Sequence, residues 1–160
     1  MSSAARSPLE LLYQRPGFLL RRAHQLSVGI FEDECRALEL TPAQYGALVV
    51  LGHADGIDQS SVSRALGFDR VTTMHVVRGL ERRGFVTRVP SSTHGRKLEL
   101  SLTPEGRRVL AGARSPAERA FKRLGSPLEP AEMLELNRLL HKLCAGLEHE
   151  ARAPMLPPGC

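Results

Sequence analysis

The chain has 160 residues and a net charge of +5, from 22 Lys and Arg against 17 Asp and Glu. That length suits one domain with its own core. Hydrophobic residues at 42% and charged residues at 24% read as an ordinary soluble protein, and five Phe, two Tyr and no Trp argue for helices over a barrel or sandwich. Cys35, Cys144 and Cys160 are too widely spaced for a disulfide framework. The N-terminus lacks the apolar stretch of a signal peptide, and no run approaches the roughly 20 apolar residues of a membrane span. The expectation is a cytoplasmic protein with no membrane partner.

Residues 1–7 are small and polar and read as a loose end. A short helix over 9–14 meets Pro16-Gly17, which redirects it. From Phe18 to about Leu38, apolar residues at Phe18, Leu19, Ala23, Leu26, Ile30 and Cys35 give a long helical pattern. Thr41-Pro42 is a cap followed by a proline at the first helical position, so a helix opens there. It ends near the turn 53–56, and Ile57 reads as a one-rung strand.

Asp58 caps a short helix over 59–66, closed by Gly67. Asp69 caps a second helix from Arg70 to Arg83, stopped by Gly84. Two helices joined by about three residues with a glycine form a helix-turn-helix. In the second helix Thr73, Val76, Val77 and Leu80 fall on one buried stripe. The opposite face carries Arg70, Val71, Thr72, Met74, His75 and Arg78. Strands over 85–89 and 97–102 flank a polar loop and make a hairpin. Thr103-Pro104 starts a helix to about Leu124, and Glu129-Pro130 starts the last helix, striped by Met133, Leu136, Leu140, Leu143 and Leu147. The tail 153–160 holds three prolines and reads as disordered.

Helix, turn, helix and hairpin in that order make a winged helix. The second helix fits a major groove about 12 Å wide, where Arg70, Thr72 and His75 can donate to base edges and Arg78 lies one turn on. Val71 and Met74 suit thymine methyls. Arg82 and Arg83 are expected to face phosphates or solvent. The wing loop carries His94, Arg96 and Lys97, which suit an adjacent minor groove. Within 64–97 stand Arg64, Arg70, Arg78, Arg82, Arg83, Arg88, Arg96 and Lys97, against only Asp69 and Glu81. Positive charge so concentrated is the electrostatic footprint of double-stranded DNA binding. A winged helix used for protein contacts, with a solvated basic face, is the alternative.

The residues 40–45 (Leu-Thr-Pro-Ala-Gln-Tyr), 63–67 (Ser-Arg-Ala-Leu-Gly) with Asp69-Arg70, 80–86 (Leu-Glu-Arg-Arg-Gly-Phe-Val), Gly95-Arg96 and 102–106 (Leu-Thr-Pro-Glu-Gly) resemble, in this order, the MarR family of bacterial transcription regulators. The likeness spans roughly residues 10–150. It implies a mainly α fold with a small β-hairpin wing: a winged helix-turn-helix lobe at 41–103, flanked by dimerisation helices at 8–40 and 104–150. It also implies a homodimer on a pseudo-palindromic operator, acting as a repressor of a neighbouring catabolic or efflux operon and released by a small aromatic acid or phenol. His94 departs from the pattern, which has an acidic residue before Gly-Arg in the wing, so Arg96 is expected to be held differently.

The resemblance places the effector pocket between the dimer helices and the DNA lobe. Arg21 and His24 share a helix face and suit a carboxylate. Phe18 suits stacking on a ring, Tyr45 suits a phenol or acid, and Tyr13 and Arg15 precede the Pro16 break and suit closure over the site. Plainer roles fit each residue as well: a surface ion pair for Arg21, a core or interface position for His24 and Tyr45.

Other chemistry is less well supported. A redox sensor would use Cys35, which lies among apolar neighbours that suit an inert thiol. His141, Cys144 and His149 form no closed metal-ligand set, so no metal site is assigned. No Gly-rich phosphate loop, nucleophile elbow or HExxH motif is present. Neither an enzyme nor a cofactor is expected.

Overall fold

The computed structural model describes residues 7–54, 56–91 and 98–156. Helix α1 (Pro8–Tyr13) opens on a capping box between Ser7 and Glu10. Pro16 occupies the first turn of α2 (Pro16–Glu34), where its missing N–H is no loss. The sequence pattern carried α2 on to about Leu38, but the helix ends at Cys35. A 3₁₀ turn, Arg36–Leu38, and a left-handed Glu39 (φ 48°) follow. This tightening brings Leu40 into the core and sets Thr41 to cap α3 (Pro42–His53). There Gln44 N–H donates to Thr41 Oγ1 at 3.2 Å, and Thr41 N–H to Gln44 Oε1 at 3.1 Å.

Strand β1 (Ile57–Asp58) leads into α4 (Gln59–Leu66) and α5 (Arg70–Arg82). Strands β2 (Val86–Pro90) and β3 (Leu98–Leu102) pair antiparallel, Val86 opposite Leu102 and Pro90 opposite Leu98. The outer rung of β1 joins β3 with Ile57 opposite Leu100, so the hairpin becomes a three-stranded sheet.

One core joins these elements. Leu48 and Leu51 of α3, Val62 of α4, Val77 and Leu80 of α5, and Leu100 of β3 are fully buried. Thr73 joins them, and its Oγ1 donates back to Asp69 O at 2.8 Å, which satisfies a buried hydroxyl. Helix α6 (Pro104–Gly125) supplies Ala113, Ala117 and Ala120, whose small size lets α2 come close with Phe31 and Cys35. At its start Gly106 lies against the Phe85 carbonyl, and a Cβ there would overlap that backbone. Ion pairs Arg119–Glu34 at 2.9 Å and Arg123–Asp33 at 2.6 Å bind α6 to the end of α2.

Helix α7 (Pro130–Leu147) runs on into a 3₁₀ turn, Glu148–Glu150, has little contact with the other elements, and leaves Leu134, Leu136, Leu139, Leu143 and Leu147 exposed. Residues 153–156, expected to be part of a loose end, return to the helix-turn-helix. Leu156 N–H donates to Arg64 O at 2.8 Å, Met155 N–H to Glu148 Oε1 at 2.6 Å, and the Met155 side chain covers Gly67. Among the described residues no helix is long and apolar enough to cross a membrane.

Candidate nucleic-acid interface

The turn between α4 and α5 is fixed by side chains that answer the unpaired amides of helix ends. Asp58 Oδ1 accepts from Ser61 N–H at 2.8 Å and starts α4. Gly67 closes it at φ 62°, a left-handed conformation that suits glycine. Ser63 Oγ donates to Phe68 O at 2.6 Å across the bend. Asp69 then starts α5: its Oδ1 accepts from Thr72 N–H at 2.7 Å and its Oδ2 from the Thr72 hydroxyl at 2.8 Å. These two bonds, the amide's first, hold the Asp69 carboxyl below the usual range.

With Thr73, Val77 and Leu80 buried, α5 turns Arg70, Val71, Thr72, His75 and Arg78 outward, and Met74 is half-buried. Arg70, Arg78 and Arg82 make no hydrogen bond or ion pair with the described residues. Thr72 departs from expectation, because its hydroxyl proton is already given to Asp69. Towards a base it offers lone pairs and a methyl group. His94, Arg96 and Lys97 lie outside the described residues.

Two arginines of the basic block are committed within the protein. Arg88 of β2 forks onto Glu81 of α5, with both contacts at 3.1 Å, and reaches Gln59 of α4 at 3.4 Å. It ties the wing to both helices of the helix-turn-helix. Arg83 was expected to face phosphate or solvent, and it donates to the carbonyls of Glu39 and Leu38 at 2.7 and 2.8 Å instead. Between α4, the start of α5 and the wing strands runs an open cleft of about 570 Å³, lined in part by Ser60, Arg64, Arg70, Arg88 and Leu98.

The residues proposed for an effector fall into two places. Tyr13 and Phe18 bring their rings to 5.1 Å, and the Arg21 guanidinium lies 5.0 Å from the Phe18 centroid while donating to Gln25 at 3.0 Å. Arg15 and His24 are exposed on the same stretch. Tyr45 stands apart: its ring lies 5.4 Å from Phe31. With Ser27, Phe31, Pro42, Ala120, Phe121 and Leu124 it lines a cavity of about 140 Å³ between α2, α3 and α6. Phe18 and Phe31 are 13 residues apart on α2, about 20 Å at the helical rise. One chain does not assemble the six residues into a single site. Phe31, Ser27 and Phe121 were missed because the cavity is made by three helices distant in sequence.

Cys35 is 1% exposed, and burial pushes its thiol up, away from the reactive thiolate. Among the described residues His141, Cys144 and His149 belong to no group able to hold a metal ion.

The sequence model of the MarR family matches residues 38–97, which take in α3, the helix-turn-helix and the first wing strand, β2. A transcriptional regulatory protein assigned to the hcr operon of Thauera aromatica is 33% identical over 128 residues, 79% of this chain and 77% of its own. The chain belongs to the MarR family. Among solved structures, this MarR-family chain is similar to Bordetella bronchiseptica BpsR, whose DNA binding is regulated by 6-hydroxynicotinic acid. The two share 30% identity over 82% of this chain and 94% of the other, with a TM-score of 0.77. The repressor CouR bound to a 23-mer DNA duplex is 28% identical, covering 88% and 99%, with a TM-score of 0.78. The fold is therefore that of a MarR-type winged-helix transcription regulator, a DNA-binding protein.

Proposed function

We propose that this protein is a ligand-responsive repressor that binds a pseudo-palindromic operator as a homodimer and controls a neighbouring catabolic or efflux operon. The observation that carries the reading is the outward face of α5. Arg70 and Arg78 stand there with no partner among the described residues, beside Val71, Thr72, Met74 and His75, on a helix fixed behind by a buried stripe. Arginine at the start of such a helix reads guanine O6 and N7. His94, Arg96 and Lys97 of the wing are proposed to complete the contact in the minor groove.

The exposed leucines of α1, α2 and α7 support the homodimer. Apolar surface on that scale marks an interface, and a two-fold dimer places two α5 helices on half-sites about one helical turn apart.

The effector proposed is a small aromatic acid or phenol. Its seat is the cavity at Tyr45, whose volume of about 140 Å³ is close to that of an apolar cavity known to hold benzene. Phe31 supplies a ring face and the Tyr45 hydroxyl a hydrogen bond. The Tyr13–Phe18–Arg21 cluster is a cationic aromatic seat at the other end of α2, with Arg15 and His24 nearby. A ligand that favours a dimer with displaced α5 helices lowers operator affinity by its differential binding, about 5–150-fold for a coupling of about 1–3 kcal/mol.

The test is a gel shift on DNA upstream of the protein's own gene, followed by displacement with a panel of aromatic acids that includes 6-hydroxynicotinic acid. Retarded DNA should be released by at least one acid, at higher concentration for Tyr45→Phe and Phe31→Ala. Retardation no stronger than on unrelated DNA would refute the repressor. Release unchanged in both variants would move the effector away from the Tyr45 cavity.

A further inference from the structure

Arg83 sits one residue past α5, among the arginines expected to face phosphate or solvent. It points the other way. Its guanidinium lies 4.6 Å from the centroid of the Phe85 ring and donates from Nη1 to Glu39 O at 2.7 Å and from Nη2 to Leu38 O at 2.8 Å. Those carbonyls end the 3₁₀ turn that follows α2, at the left-handed Glu39. Four and five residues before Leu38, Glu34 and Asp33 of α2 are held against α6 by Arg119 and Arg123. The fork therefore joins the C-terminal end of the reading helix to the end of the α2–α6 frame.

We propose that Arg83 is a positioning residue for operator reading: it latches the end of α5 to the end of α2, so that the frame sets the attitude of the reading helix. The other end of α5 is capped within the lobe by Asp69, and the turn before it meets the C-terminal tail at Met155 and not α2. A movement of α2 would therefore reach α5 directly through Arg83. Only a planar fork spans two successive carbonyls while stacked on a ring. A lysine keeps the charge and the stem over Phe85 but bonds one carbonyl at a time. This inference rests on the reading of α5 as the operator helix.

The test compares the parent with Arg83→Lys and Arg83→Ala on the footprinted upstream duplex and on a scrambled duplex of equal composition, across a salt series. Hydrogen exchange without DNA is measured on the same samples. A latch predicts that both variants lose about tenfold or more on the footprinted duplex, the order expected when a charged hydrogen bond goes. Binding to the scrambled duplex and its salt slope should stay parental, and exchange should rise together at 36–39 and 80–84. A phosphate contact would instead leave Arg83→Lys near the parent, while Arg83→Ala weakens on both duplexes and its salt slope falls by about one. That outcome, or parental exchange at both segments in both variants, overturns the latch. A parent that does not discriminate between the duplexes refutes the repressor, and exchange then decides the latch by itself.

Discussion

Gly67 and Asp69 bracket the bend that aims α5. At φ 62° an alanine in place of Gly67 would press its Cβ on the following carbonyl, and Met155 already covers the position. Left-handed backbone costs an L-residue about 1–2 kcal/mol. Gly67→Ala is expected to lower the unfolding free energy in urea by about 1 kcal/mol with an unchanged m-value; a variant as stable as the parent would remove the strain argument. This bend was legible in the sequence, because a cap needs only a short acceptor three residues before the amide it serves. Thr41, Asp58, Asp69 and Thr103 all accept in that way. The commitments of Arg83, Arg88 and the Thr72 hydroxyl were not legible. Arg83 reaches residues 44 and 45 positions away, and a count of basic residues scores a committed arginine and a free one alike.

At the scale of elements, α2 and α6 are bound by alanine packing inside and by Arg119 and Arg123 outside. The Arg123 hydrogen bond, with Arg36 beside it, holds the Asp33 carboxyl below its ordinary value. A lowered folded-state pKa contributes stability that is present above the unfolded value, about 3.9, and lost as pH falls through the folded one. Arg123→Gln is therefore expected to raise the Asp33 pKa in a carbon-detected NMR titration. It should also flatten the fall in stability on the acid side, an effect that weakens with salt because the pair is exposed. An Asp33 titration identical in parent and variant would show the pair does not persist in solution. The helix pattern found α2 but overran its end. Apolar periodicity continues through Leu38, whereas the backbone tightens to a 3₁₀ turn at Arg36 and leaves it through a left-handed Glu39, whose carbonyl Arg83 takes from beyond α5. Phe31 likewise reads as one more core residue until Tyr45 and Phe121 arrive from α3 and α6 to make the cavity.

At the scale of the whole molecule, α7 is a helix with an apolar face and little of its own chain to bury it. The expected outcome is a dimer in analytical ultracentrifugation, which Leu139→Glu with Leu143→Glu converts to a monomer that still shows helical circular dichroism. A monomeric parent would contradict the dimer frame. A monomer has only one reading helix to offer a two-fold operator, so its affinity should fall with the assembly. The winged-helix fold was legible from the order of helices, turn and hairpin. The seat of the tail on Arg64 and Gly67 was not, since its contacts there are one backbone hydrogen bond and one methionine side chain. That α5 reads sequence is tested most directly by equilibrium anisotropy on labelled upstream DNA, with unlabelled operator and scrambled duplex as competitors. Arg70→Ala measured beside the parent should show tight, salt-sensitive binding by the parent that operator competes far better than scrambled DNA, and a loss of about 1–3 kcal/mol in the variant with relaxed preference at one base position. Equal competition by both duplexes, with Arg70→Ala indistinguishable from the parent, would contradict it.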